Sequence, residues 1–78
     1  MINIQDIIPF IKDGWISMDK NGEWWWYPKE PYTEDNEGAW FFIDISENSK
    51  SSVKLNNMFG DIAPVDYWKK SLIKVGKK

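Results

Sequence analysis

Four isoleucines near the start of the chain, Ile4, Ile7, Ile8 and Ile11, recur at the three- and four-residue spacing of one helix face. This spacing predicts a short helix over Asn3–Lys12, capped by Asn3 or Asp6 and closed by Gly14. Pro9 fits such a helix only if it starts near Asp6, which places the proline ring in the first turn. The period then changes from helical to alternating. Trp15–Lys20 and Glu23–Tyr27 flank Asn21-Gly22, a pair that accepts the positive φ angles of a type I′ turn, so a β-hairpin is expected. Pro28 and Pro31 end its second arm, and Glu30, Glu34, Asp35 and Glu37 follow as an acidic loop. Ala39–Ile45 predicts a third strand and Ser46–Ser52 a polar loop, while Val53–Phe59 is open between an edge strand and coil. Pro64 is placed to start a last short helix, with Asp66 in its first turn and Trp68 and Leu72 on one face. The expected fold is α+β: a small antiparallel sheet of three or four strands built on the hairpin, with a short helix near each terminus.

Alternation has a consequence for the aromatic residues. Successive side chains of a strand point to opposite faces, so Trp24 and Trp26 face one way and Trp25 and Tyr27 the other. The third strand repeats the pattern, with Phe41, Ile43 and Ile45 on one side and Trp40, Phe42 and Asp44 on the other. Two short helices bring enough apolar residues to cover one face. The second face is either roofed by loop residues such as Tyr32, Met58 and Phe59, or bare. A bare aromatic face marks an interaction surface. Trp24 and Trp26 are assigned to it here, and a homo-oligomer, most simply a dimer closing over that face, is the expected remedy.

Composition narrows the chemistry. Seventy-eight residues make a single domain, 1–78, and the lysines of 74–78 suggest a mobile end. The chain has no Cys and no His, which removes disulfides, the usual zinc ligands and the common nucleophile–base pairs. Its five glycines are scattered and form no phosphate-cradling loop, and no segment has calcium-loop spacing. No enzyme activity, cofactor or metal is expected. Asp19 with Glu23, or Asp44, are the acids that paired-carboxylate catalysis would use, against the plainer reading as solvated turn and edge acids. Charge is uneven: residues 13–47 carry nine acids and two lysines, and residues 69–78 carry five lysines and no acid. All ten basic residues are lysine, and without arginine direct binding to duplex nucleic acid is not expected. No segment is apolar enough to cross a membrane and no basic leader precedes one, so the cytoplasm is the expected location.

The run Gly14-Trp15-Ile16-Ser17-Met18-Asp19, with Asn21-Gly22-Glu23 and Trp25-Trp26-Tyr27, resembles a group of small uncharacterised aromatic-rich proteins of bacterial phages and prophages. Asp61-Ile62-Ala63-Pro64 and Trp68-Lys69-Lys70-Ser71-Leu72 are similar to their endings. The likeness covers residues 13–31 and 59–75 and consists of hairpin and packing residues, with no catalytic motif. It implies a phage-encoded accessory protein in the cytoplasm of a bacterial host cell, acting as an antagonist of host defence by binding or sequestration. Two targets fit. A small planar anion such as a nucleotide signal would stack on Trp24, Trp26, Trp40, Phe42, Tyr27 or Tyr32, with Lys20, Lys29 or Lys54 holding phosphate. A host protein would instead meet the same aromatic anchors, or the acidic loop acting as a mimic of nucleic acid phosphates. A virion structural or assembly protein is the alternative from a different class.

Overall fold

The hairpin forms, around a different turn. In the computed structural model, which describes residues 1–33, 38–42 and 52–76, strand β1 (Gly14–Met18) pairs antiparallel with β2 (Trp24–Tyr27), Trp15 opposite Tyr27 and Met18 opposite Trp24. The Gly22 N–H donates to Asp19 O at 2.9 Å, and the Asp19 N–H donates to Glu23 O at 2.8 Å. Gly22 has φ +92°, whereas no residue other than glycine has positive φ among the described residues. Asn21 therefore lacks the left-handed backbone of a type I′ turn. The connection is a type I turn closed by a glycine bulge. Asn21 instead contributes its side chain, Oδ1 accepting the Glu23 N–H at 3.0 Å.

Two further strands complete the main sheet, in the order β5-β2-β1-β6. Strand β5 (Val53–Lys54) borders β2 and runs directly into helix α2 (Leu55–Phe59). Strand β6 (Ile73–Val75) borders β1, with Ile16 opposite Ile73. The expected short helix near the C-terminus is present, but it starts at Trp68 rather than Pro64 and is shorter than its spacing suggests. That stretch makes only a three-residue 3₁₀ turn, Trp68–Lys70, and then extends. Ile73 and Val75 are β-branched and alternate with Lys74, a pattern that suits a half-buried edge strand. Lys74 thus belongs to the sheet, and Val75 is buried rather than part of a mobile end.

The expected third strand is also relocated. Strand β4 (Trp40–Phe41) pairs with β3 (Tyr32–Thr33) in a separate two-stranded ribbon and does not join the main sheet. Ile43, Asp44 and Ile45, the loop 46–51, and Glu34, Asp35 and Glu37 lie outside the described residues.

At the N-terminus helix α1 spans Ile4–Ile7, and Asn3 Oδ1 caps it by accepting the Gln5 N–H at 2.9 Å. It starts at Ile4 rather than near Asp6. Pro9 has no N–H to continue the ladder, so the chain tightens into a 3₁₀ turn at Ile8–Phe10. Ile4 and Ile7 are buried, Ile8 and Ile11 are half-buried, and Phe10 is exposed.

The core lies on the face of the hairpin that carries Ile16, Met18, Trp24 and Trp26, closed by Ile4, Ile7, Leu55, Ile62 and Val75. Trp24 is 0% exposed and Trp26 5%. The expectation that these two tryptophans line an open face, and border a dimer contact, is therefore corrected: they are the centre of the core. Each buries roughly 150–250 Å², worth about 4–6 kcal/mol of transfer free energy. Their polar atoms are satisfied as well. Trp24 Nε1 donates to Ala63 O at 3.3 Å, its backbone N–H donates to Asn56 Oδ1 at 2.8 Å, and Trp26 Nε1 donates to Lys12 O at 3.2 Å. Gly14 lets Trp26 in, because a Cβ at residue 14 would lie 2.5 Å from Trp26 Nε1 and 2.7 Å from Tyr27 O.

Candidate functional site

Register fixes what the opposite face carries. Ser17 pairs with Trp25, Trp15 with Tyr27 and with Lys74, and Trp25 with Lys54. This face is mixed where the core face is uniformly apolar, and no helix covers it. The ribbon folds over part of it, with Trp40 as the fastener. The Trp40 N–H donates to Asp19 Oδ1 at 3.0 Å, and its indole Nε1 donates to Met18 O at 3.0 Å and Trp68 O at 3.3 Å. Trp40 and Trp68 meet edge-to-face at 6.4 Å. The Lys20 N–H donates to Gly38 O at 2.8 Å, which ties the hairpin turn to the ribbon.

One anchor comes from Ser71, whose hydroxyl stands where a strand carbonyl would otherwise continue the sheet. The β1–β6 register places residue 71 opposite Met18, but the chain has left the sheet there. Ser71 Oγ accepts the Met18 N–H at 2.7 Å and donates to Trp68 O at 2.6 Å. The Met18 and Trp68 carbonyls that receive the Trp40 indole are thus held by the same hydroxyl's neighbourhood, which fixes the ribbon's position on the sheet.

Between sheet and ribbon lies a cleft of about 300 Å³. Its lining includes Trp25, Tyr27, Trp40, Phe41 and Phe42, with Asp19 as its carboxylate and Ser52 at one side. Phe42 packs edge-on against Tyr27 at 5.5 Å, and the Tyr27 hydroxyl donates to Trp40 O at 3.4 Å. Burial pushes the Tyr27 phenol well above its usual range, and the negative charge of Asp19 adds to this. Burial likewise raises the Asp19 carboxyl. The Trp40 N–H pulls it the other way, and the nearby Glu23 charge raises it further. Two buried polar atoms of this face, Ser17 Oγ and Trp25 Nε1, have no partner in hydrogen-bond geometry among the described residues. The Ser17 side chain interacts with the Tyr27 phenol and that of Trp25 with the Glu23 carboxylate, in each case outside hydrogen-bond geometry.

Of the residues singled out from sequence, the cleft gathers Tyr27, Trp40 and Phe42. Trp24 and Trp26 are core. Tyr32 stands on the outer side of the ribbon, 41% exposed, with its ring 6.1 Å from Phe41. Lys20 and Lys29 are exposed and do not line the cleft. Lys54 is held by Glu23 at 2.9 Å, and that ammonium keeps the Glu23 carboxyl below its usual range. The two acids considered for catalysis thus have separate structural tasks, Asp19 on a backbone N–H and Glu23 on a lysine. Trp25, Phe41 and Ser52 complete the cleft. The Ser17–Trp25 pairing, legible once the hairpin register is known, is the signal that separates this mixed face from the core.

A second groove, of about 340 Å³, lies between the first 3₁₀ turn and α2, where Phe10, Val53 and Met58 are exposed. Among the described residues its one charged group is Lys12, which sits 4.7 Å above the Trp26 ring. Among the described residues no cluster of acids is arranged to hold a metal ion, and no helix is long and apolar enough to cross a membrane. Comparisons of the chain with protein-family models, with curated proteins and with solved structures return no match.

Proposed function

We propose that this chain is a non-catalytic binding protein of the phage-type antagonist kind, which docks on a host protein and receives one of its side chains in the aromatic cleft. The cleft carries this reading: among the described residues, five aromatic side chains line about 300 Å³ beside one carboxylate, that of Asp19. Tryptophan and tyrosine are the preferred anchors of protein interfaces, because they offer large contact area at little cost in side-chain freedom. Of the two expected targets, a planar anion is the poorer fit. Asp19 would repel a phosphate, and among the described residues no lysine lines the cleft to offset it. The occupied carboxylates of Asp19 and Glu23 support a binding role over hydrolysis. The phage setting rests on the resemblance of the hairpin and of the C-terminal run.

The test compares wild type with Ser52→Trp, which fills the cleft from its side while leaving the core untouched. Proteins retained from a bacterial lysate by the first and not by the second are purified, and their affinity for both forms is measured. A loss of at least about tenfold on filling the cleft is expected, since burial of one aromatic anchor carries that much or more. Equal affinity for both forms, or a small organic anion as the sole species retained in native mass spectrometry, would overturn the reading.

A further inference from the structure

We infer that the cleft selects a cation, and that the side chain it receives is an arginine presented by the partner; this rests on the binding reading above. The cleft combines the two elements that recognise an organic cation. Trp25, Tyr27, Trp40 and Phe42 supply aromatic rings, whose faces carry negative potential. Asp19 supplies a negative charge at the same site, whereas the nearby Glu23 is already paired with Lys54. One oxygen of Asp19, Oδ1, is engaged by the Trp40 N–H, and a carboxylate retains acceptor capacity beyond that single bond. Asp19 lines the cleft, and among the described residues no cation of the chain's own lines it.

The lysines of this protein make the contrast plain. Lys12 lies over Trp26, Lys69 over Trp68 and Lys74 over Trp15, so three indoles elsewhere, one in the core and two half-buried, already carry an ammonium group at 4.7–5.8 Å. The cleft tryptophans, Trp25 and Trp40, have no such partner among the described residues. Arginine suits the space better than lysine. Its guanidinium is flat, stacks on aromatic faces, is weakly hydrated and bonds a carboxylate through a planar fork. Entry of that charge also relieves the burial penalty that raises Asp19, so complex formation favours the ionised carboxylate.

The experiment uses two probes of nearly identical shape, N-acetyl-arginine amide and N-acetyl-citrulline amide, which differ in the positive charge. Each is titrated into the full chain while the indole N–H resonances of Trp25 and Trp40 are followed. The arginine probe is expected to shift both saturably, and the citrulline probe to bind about tenfold more weakly. Asp19→Asn keeps the Oδ1 acceptor for the Trp40 N–H, so the ribbon stays in place while the charge is lost. In that variant the two probes are expected to bind alike. Equal binding of both probes to wild type, or a preference for arginine that survives Asp19→Asn, overturns the cation inference. Ser52→Trp separates the two levels of argument. A partner whose binding needs an open cleft but is indifferent to Asp19→Asn leaves the binding reading standing and removes arginine. A partner indifferent to Ser52→Trp removes both.

Discussion

Ser71→Ala deletes one oxygen and reaches two parts of the molecule. Residue 71 is 3% exposed, so the Met18 N–H it satisfies at 2.7 Å has no access to water as a replacement. Leaving a buried donor without a partner costs about 1–3 kcal/mol. A domain of this length has a total stability of roughly 4–12 kcal/mol, so the loss is a large fraction of it. At about 4–8 °C per kcal/mol, the melting temperature should fall by roughly 4–24 °C. The second effect is positional. The hydroxyl also bonds Trp68 O at 2.6 Å, and that carbonyl is one of the two acceptors of the Trp40 indole. The variant should therefore shift the Trp40 indole N–H resonance and weaken binding in the cleft even below its melting temperature. Circular dichroism gives the melting curve, and amide exchange reports Met18 directly. A melting temperature within about 1 °C of wild type, together with unchanged Met18 exchange, would falsify the claim that this hydroxyl replaces a strand carbonyl.

Gly14→Ala should be more disruptive than its size suggests, because its Cβ would sit 2.7 Å from the Tyr27 carbonyl and against the Trp26 ring; failure to melt cooperatively, or a fall well beyond that of Ser71→Ala, is expected. Gly22→Ala meets open space, so its cost is conformational alone: about 1–2 kcal/mol for a left-handed alanine, read as a fall of roughly 4–16 °C. Asp19 has a raised pKa in the fold, so the unfolded chain releases its proton first as pH rises. The contribution of Asp19 to stability should therefore fall from near 3.8 upward until it is ionised in both states, opposite in sign to that of Glu23, and Asp19→Asn should remove this fall and match or exceed wild type at neutral pH. Tyr27 should stay protonated beyond the ordinary phenol value of 10.0 while the fold persists; a tyrosinate absorbance step from Tyr27 at that pH, lost in Tyr27→Phe, would contradict its burial.

The hairpin and the α+β class were legible because their signals are local: alternating aromatics on either side of a glycine turn, and isoleucines at helical spacing. The turn type was not. Asn-Gly serves both a type I′ turn and a type I turn with a glycine bulge, and the choice depends on Asp19, whose backbone closes the loop onto Glu23 and Gly22. Strand β6 was hidden for a different reason. Ile73-Lys74-Val75 is too short to show a period, and Pro64, Asp66 and the Trp68–Leu72 spacing together imitate a helix. Its conformation is decided by β1, which lies far away in sequence and offers an unpaired edge. The choice of core face failed on weighting. Trp24 and Trp26 are the bulkier pair of the strand, yet their cross-strand partners are Met18 and Ile16, while Trp25 faces Ser17 and Lys54. Polar partners identify the face that stays open. Three of the cleft residues, Tyr27, Trp40 and Phe42, were found from aromatic alternation alone. The place of Asp19 beside the cleft is not legible, since it depends on the ribbon folding back over the hairpin.

The place of β6 in the sheet also sets a timetable for the chain as it is made. Its pairing joins Ile16 to Ile73, so the hairpin is synthesised long before the strand that completes its flank. A hairpin of this kind closes in microseconds, whereas translation adds only about 5–20 residues per second. For several seconds, then, a hairpin carrying four tryptophans exists with the edge of β1 unpaired and its apolar face covered only in part, by α1, a state prone to pairing with other chains. Lys74 and its neighbours arrive at the end of that interval. They close the edge of β1 and place positive charge along the new border, where like-charge repulsion discourages the next copy from adding itself to the sheet.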